Sequence, residues 1–142
     1  MIVGEGELKD ALHAQTVALG LLGRVTFTGF REDLDRLIPA FDVFCLSSKM
    51  EGLGTSLLDA MCFARPVVAT AAGGIPEVVK DGGTGRVVPV QDPAAIAEAL
   101  VEVLLDPAGR DRMGTAGRRR FEARFSADRM VEATLAVYDE LP

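Results

Sequence analysis

Short apolar runs rich in β-branched residues alternate with helix-length segments along nearly the whole chain. That alternation limits the fold more than any other feature. Ile2-Val3, Val25 to Thr28, Val43 to Leu46, Val67 to Thr70 and Arg86 to Val88 read as strands. Glu7 to Leu19 has helical spacing through Leu8, Leu12 and Val17, and Gly20 and Gly23 stop it. Asp33 to Ile38 reads as a short helix with Pro39 near its end, Ser56 to Ala64 as a longer one, and Ile75 to Val79 as another short one. Beyond Pro93 the pattern is helical throughout: Pro93 to Leu105, Ala108 to Phe125 and Ala127 to Leu141, with Asp92 and Ser126 as N-caps. Strands alternating with helices imply an α/β fold, a mostly parallel sheet covered on both faces. The continuous apolar run Val43 to Leu46 suits a strand buried on both sides. Ligands of such sheets bind beyond the carboxyl ends of the strands, which puts the loop Ser47 to Gly54 at the binding edge.

Composition narrows the function classes. With 142 residues the chain reads as one domain, 1–142. Apolar residues at 49% and charged residues at 25% describe a globular chain rather than a disordered one. A net charge of −6 argues against general attraction to nucleic acid. The basic run Arg118 to Arg120 falls in a helical segment and reads as a solvated face, with an anionic contact as its other use. Cys45 and Cys62 show neither metal spacing nor a disulfide framework, which fits a reducing, cytoplasmic setting. No apolar run approaches the ~20 residues of a membrane span, and Glu5 and Glu7 argue against a signal peptide.

The chemistry concentrates in Glu51 to Asp59 and its continuation to Glu77. Gly52 and Gly54 let backbone N–H groups approach a ligand, and a helix starting near Thr55 or Ser56 aims its free N–H groups and positive dipole end at the same place. That arrangement suits a diphosphate. Glu51 disfavours a bare phosphate beside it and makes better sense as an acceptor for sugar hydroxyls. Asp59, about one turn into the helix, can accept two hydrogen bonds from a vicinal diol such as ribose. The turn Ala71 to Glu77 follows the adjacent strand and offers small residues for a second wall. Blander uses exist for each part: solvated acids at Glu51 and Asp59, and turn glycines at Gly52, Gly54, Gly73 and Gly74. Their conjunction at one sheet edge favours the nucleotide-sugar reading. His13 has no acid or cysteine near it in sequence and reads as a surface or packing residue. Gly4-Glu5-Gly6 matches only part of a dinucleotide fingerprint, and its acids argue against phosphate.

In order, the segments VGEGEL, VTFTGF, DVFCLSS, EGLGTSLLDAM, PVVATAAGGIPEVV and DGGTGRVV resemble the C-terminal, donor-binding half of GT-B retaining glycosyltransferases, in particular glycosyltransferase family 4. The resemblance runs from about Ile2 to the final helix. It implies a Rossmann-like doubly wound parallel sheet with a helical C-terminus. It also implies transfer of a hexosyl group from a nucleoside-diphosphate sugar, without a metal or other cofactor and with retention of configuration. Glu51 matches the first acid of the family's paired-acid motif, at the reacting sugar, and is the one catalytic assignment. Asp59 stands where most members carry Glu, at the ribose hydroxyls; its shorter reach implies a longer or water-mediated contact. Leu53 and Gly54 match backbone positions near the sugar, and Thr55 and Ser56 positions near the diphosphate; Gly52 counts with them as donor-binding. Gly29, Phe30 and Arg31 match the loop near the base. Ala64 replaces a usual Gly, which reads as a packing change.

Two departures from the family pattern shape the expectation. A first strand and helix, carrying an Arg and a Lys that clamp the diphosphate, would precede Ile2, and Lys9, Lys49 and Lys80 do not match that position. The N-terminal acceptor domain is also outside the sequence, so the chain reads as part of a two-domain enzyme, weakly active or inactive alone. Since strand 1 is central in a doubly wound sheet, its absence implies either direct closure of the sheet or a homo-oligomer formed by strand pairing or swapping. Alternatives are a non-catalytic donor-binding subunit completed by a separate acceptor chain, and a GT-B-like sugar-nucleotide epimerase. The implied partners are a nucleotide sugar and the acceptor domain, with peripheral membrane association open for the full-length enzyme.

Overall fold

The computed structural model describes residues 1–140; Leu141, the last residue of the expected final helix, lies outside them. The chain falls into two compact units, Met1–Asp35 and the residues from Arg36 onward, each taken by itself below.

The first unit is a helix, α1 (Lys9–Ala18), flanked by two short extended stretches, with the start of α2 (Leu34–Leu37) at its end. The expected strands at Ile2-Val3 and Val25 to Thr28 reduce to isolated bridges, Ile2 to Phe27 and Gly4 to Gly29. Ile2 N–H donates to Thr26 O (2.8 Å), and Thr28 N–H returns a bond to Ile2 O (3.0 Å). No apolar side chain of this unit is buried; only Thr16 is, its hydroxyl donating to Leu12 O at 2.8 Å. His13 packs against Phe27, the ring centres 5.8 Å apart, which fits a packing role.

In the second unit a 3₁₀ turn, Ile38–Ala40, carries Pro39 and leads into a sheet of three strands. These are β1 (Phe44–Leu46), β2 (Val67–Thr70) and β3 (Gly85–Val88), in the order β1-β2-β3 and all parallel. The crossovers are α3 (Thr55–Cys62) and the single turn α4 (Ile75–Val78). Then come α5 (Pro93–Leu105), α6 (Pro107–Arg124) and α7 (Ala127–Asp139). The period-2 alternation of strands divides β2 between two cores. Val67 and Ala69 face Leu57, Ala60, Met61, Ile75 and Val78, whereas Val68 faces Val88, Ala99 and Val103 of the α5 side. Both faces are thus covered, as an all-parallel sheet requires. Asp92 and Ser126 cap α5 and α7 as expected, accepting from Ala95 N (2.9 Å) and Arg129 N (3.3 Å). Asp106 does the same for α6, accepting from Gly109 N at 2.8 Å.

Two expectations need correction. The strand at Val43 to Leu46 is not buried on both sides: Phe44 and Leu46 are half-buried and Cys45 is exposed, because β1 pairs only with β2 and β2 takes the centre. The basic run is not simply a solvated face. Arg118 donates to Glu122 (2.6 Å) and to Cys62 O of α3. Arg120 donates to Val78 O (2.8 Å) and Glu77 O (2.6 Å) of α4, its guanidinium carbon lying 5.7 Å from the centre of the Phe125 ring.

Candidate functional site

The loop Ser47 to Gly54 leaves the carboxyl end of β1 and enters α3, and the turn Ala71 to Gly74 leaves the carboxyl end of β2 and enters α4. The two meet backbone to backbone. Gly74 N–H donates to Gly52 O at 2.8 Å. A Cβ on Gly73 would sit 1.7 Å from Glu51 O, and one on Gly74 2.6 Å from Gly52 O, so neither position admits a side chain without a backbone shift. Gly73 also has φ +52°, a conformation that L residues with a Cβ rarely adopt. Gly73-Gly74 is therefore a wall fitted to the Glu51-Gly52 peptide.

Gly54 is the left-handed N-cap of α3, with φ +77°, buried between Leu57, Ile75 and the Glu51 side chain. It turns the chain so that the first free N–H groups of α3 belong to Thr55 and Ser56, which donate to no group among the described residues. Leu57, Ala60 and Met61 are buried against the sheet, which leaves Thr55 and Asp59, four residues apart, on the exposed side of the helix. Asp59 makes no side-chain hydrogen bond or ion pair among the described residues, and its carboxylate is open to a ligand. Gly52 is exposed with open space where a Cβ would stand, and Leu53 is 39% exposed.

Glu51 is half-buried and oriented. Ser48 Oγ donates to its Oε2 at 3.0 Å, and Thr70 Oγ1, at the buried end of β2, donates to Ser48 O at 2.6 Å. Neither Ser48 nor Thr70 stood out in the sequence. The available signals were slight: a hydroxyl three residues before an acid in a loop, and a Thr closing a strand at the binding edge. The structure thus brings Glu51, Gly52, Leu53, Gly54, Thr55, Ser56 and Asp59 together in one loop and helix start, walled by Gly73 and Gly74. Chemically the site offers carboxylate acceptors and backbone donors. Lys49, in the same loop, is exposed and joins no ion pair among the described residues.

Gly29, Phe30 and Arg31 belong to the first unit and form a turn of their own. Gly29 has φ +67° and accepts from Gly4 N at 2.9 Å. Phe30 is 71% exposed, its ring free for stacking. Arg31 forks onto Asp33 with bonds of 2.8 and 2.6 Å, and this hydrogen bonding holds Asp33 below its ordinary carboxyl value. A separate concavity of about 370 Å³ lies at the opposite end of the strands, lined by Asp42, Ala64, Arg65, Pro66, Arg110, Asp111 and Thr115. Its cations are already engaged: Arg110 pairs with Asp42 at 3.1 Å, and Arg65 donates to Phe41 O and Phe63 O.

A parallel sheet covered on both faces, with a glycine-walled helix start at the carboxyl ends of its strands, is a Rossmann-like arrangement. Residues 1–120 match the family model described as glycosyl transferases group 1, and the chain belongs to that family. It is 32% identical over 141 residues to the lipopolysaccharide core biosynthesis glycosyltransferase LpsE of Rhizobium meliloti, covering 99% of this chain and 42% of LpsE. HepE of Anabaena, solved in complex with UDP, superposes with a TM-score of 0.91 at 28% identity over 98% of this chain and 40% of HepE. The C-terminal domain of a group 1 glycosyl transferase, LpcC of Francisella tularensis, gives 0.79 at 26% identity over 85% of this chain and 64% of that one. The chain thus spans about two-fifths of the length of the curated relatives it matches.

Proposed function

We propose that this chain is the nucleotide-sugar-binding domain of a retaining glycosyltransferase of family 4, which transfers a hexosyl group from a nucleoside-diphosphate sugar to an acceptor held by a separate domain. The supporting observation is the fit of Gly73-Gly74 against Glu51-Gly52 at the start of α3, where free backbone N–H groups and two acids share one edge of the sheet. The N–H groups of Thr55 and Ser56 and the dipole of α3 face the diphosphate and stabilise charge as it leaves. Glu51 accepts from hydroxyls of the donor sugar, and Asp59 from the ribose diol. The family resemblance assigns Gly29, Phe30 and Arg31, in the first unit, to the base. No bound metal is invoked, because the family resemblance implies none and backbone donors help to stabilise the diphosphate. HepE, similar to this chain, was solved with UDP and with UDP-glucose, which makes uridine the first base to try.

Calorimetric titration of the chain with UDP, GDP and ADP and with their glucose and mannose conjugates tests the reading. One base is expected to bind, with or without EDTA, and to raise the melting temperature by mass action. Asp59→Ala is expected to weaken bare nucleotide and conjugate alike, whereas Glu51→Ala is expected to weaken the conjugate selectively. No heat with any of the nine ligands would sink the reading.

A further inference from the structure

The geometry points to Ser48 as the positioning residue for Glu51, with Thr70 as the post that holds Ser48; the inference rests on the donor-site reading above. A glutamate side chain has three rotatable bonds, and in a loop its carboxylate would sweep a broad arc. Here the arc is closed from both ends. The Glu51 carbonyl lies where Gly73 admits no Cβ, and the Glu51 Cγ lies 3.6 Å from where a Gly54 Cβ would stand, so the main chain and stem are fixed. Ser48 Oγ then takes Oε2 at 3.0 Å. A hydroxyl donor bonded to one carboxylate oxygen leaves the other, Oε1, as the free acceptor and fixes its direction. Ser48 does not itself wander, because Thr70 Oγ1 holds its carbonyl at 2.6 Å and Thr70 is only 1% exposed. The chain of contacts runs from the end of β2, through the loop after β1, to one oxygen of one acid. Its consequence is selectivity. The pattern of sugar hydroxyls the site accepts depends on where Oε1 points, whereas the nucleotide part depends on backbone N–H groups that Ser48 does not touch.

The test compares bare nucleotide with its sugar conjugate on the intact chain. Using UDP and UDP-glucose, or the pair from the panel above that the wild type binds, Ser48→Ala is expected to keep nucleotide affinity within twofold. It should weaken the conjugate by about tenfold, the scale of one well-placed hydrogen bond. Ser48→Thr, which keeps the hydroxyl, should restore the conjugate. Thr70→Val, which removes only the hydroxyl from the post, should reproduce the selective loss. A purely structural role would lower both affinities together, and that result would overturn the proposal, as would an unchanged conjugate affinity. If the wild type binds none of the panel, the donor-site reading fails, and crystal structures of the unliganded chain decide the positioning claim. Ser48→Ala should release the Glu51 carboxylate from its place and Ser48→Thr should keep it there; an unmoved carboxylate in Ser48→Ala overturns the claim.

Discussion

Gly73 shows how much of the site hangs on the absence of a single atom. Its φ of +52° disfavours any Cβ, and the space a Cβ would take is occupied by Glu51 O. Gly73→Ala is therefore expected to destabilise the second unit by about 2–4 kcal/mol, combining left-handed strain with backbone displacement. Denaturant titration measures the loss, and the displaced peptide is that of Glu51-Gly52. Ala64 is the reverse case. It occupies φ +53° with a Cβ in place, at the position where the family resemblance expects Gly. Its carbonyl lies where Gly114 of α6 admits no side chain, so α6 approaches this turn closely. The expected packing change is thus also a backbone strain, which no sequence pattern reveals.

At the scale of elements, the helices that flank the site are held by side chains from distant parts of the sequence. α4 is a single turn and cannot stand alone. Arg120 satisfies two carbonyls at its C-terminal end, while its N-terminal end carries Gly74 against Gly52. Arg120→Met, which keeps the stem but not the donors, is expected to cost about 1.5–3 kcal/mol and to speed amide exchange over 75–79. β3 is tied in a different way. Asp81 Oδ1 accepts from Val87 N (3.0 Å) and from Arg86 Nε (3.1 Å), and Arg86 also reaches Glu102 of α5. The Val87 N–H is the main cause that holds the Asp81 carboxyl below its ordinary value of 3.8. A depressed carboxyl contributes stability that is present above the ordinary value and is lost as pH falls through the folded one. Stability should therefore decline below about pH 4, and Asp81→Asn should flatten that acid limb in thermal melts taken from pH 6 to pH 2.

Across the molecule, burial is unevenly shared. Among the described residues every buried apolar side chain lies between Ile38 and Val103, and the first unit buries only Thr16. Hydrogen exchange should accordingly be slowest in β2, α3 and the inner face of α5, and fast over residues 1–35. Uniform protection across both would contradict this division. The sequence pattern carried most of the element list, because hydrophobic period and cap residues are local signals: β2 and α5 fall at the expected bounds, and Asp92 and Ser126 cap as read. It failed where two elements share one signal. The apolar runs at Val43 and Val67 look alike, yet one is the half-exposed end of the sheet and the other its buried centre, a difference made by pairing alone. Likewise a run of three arginines is a uniform charge in sequence, while packing of α6 against α3 and above the end of α4 gives Arg118 and Arg120 separate partners.

By itself, the sequence determined the α/β alternation, the sheet edge at which the candidate site residues gather, and their types, since each depends on spacing within a few residues. Only the tertiary structure decided which oxygen of Glu51 takes the Ser48 hydroxyl, which glycines admit no side chain, and which arginines hold α3 and α4. Those facts depend on distances between atoms far apart in the chain, from Thr70 to Ser48 and from Gly73 to Glu51, and such distances exist only once the strands have paired.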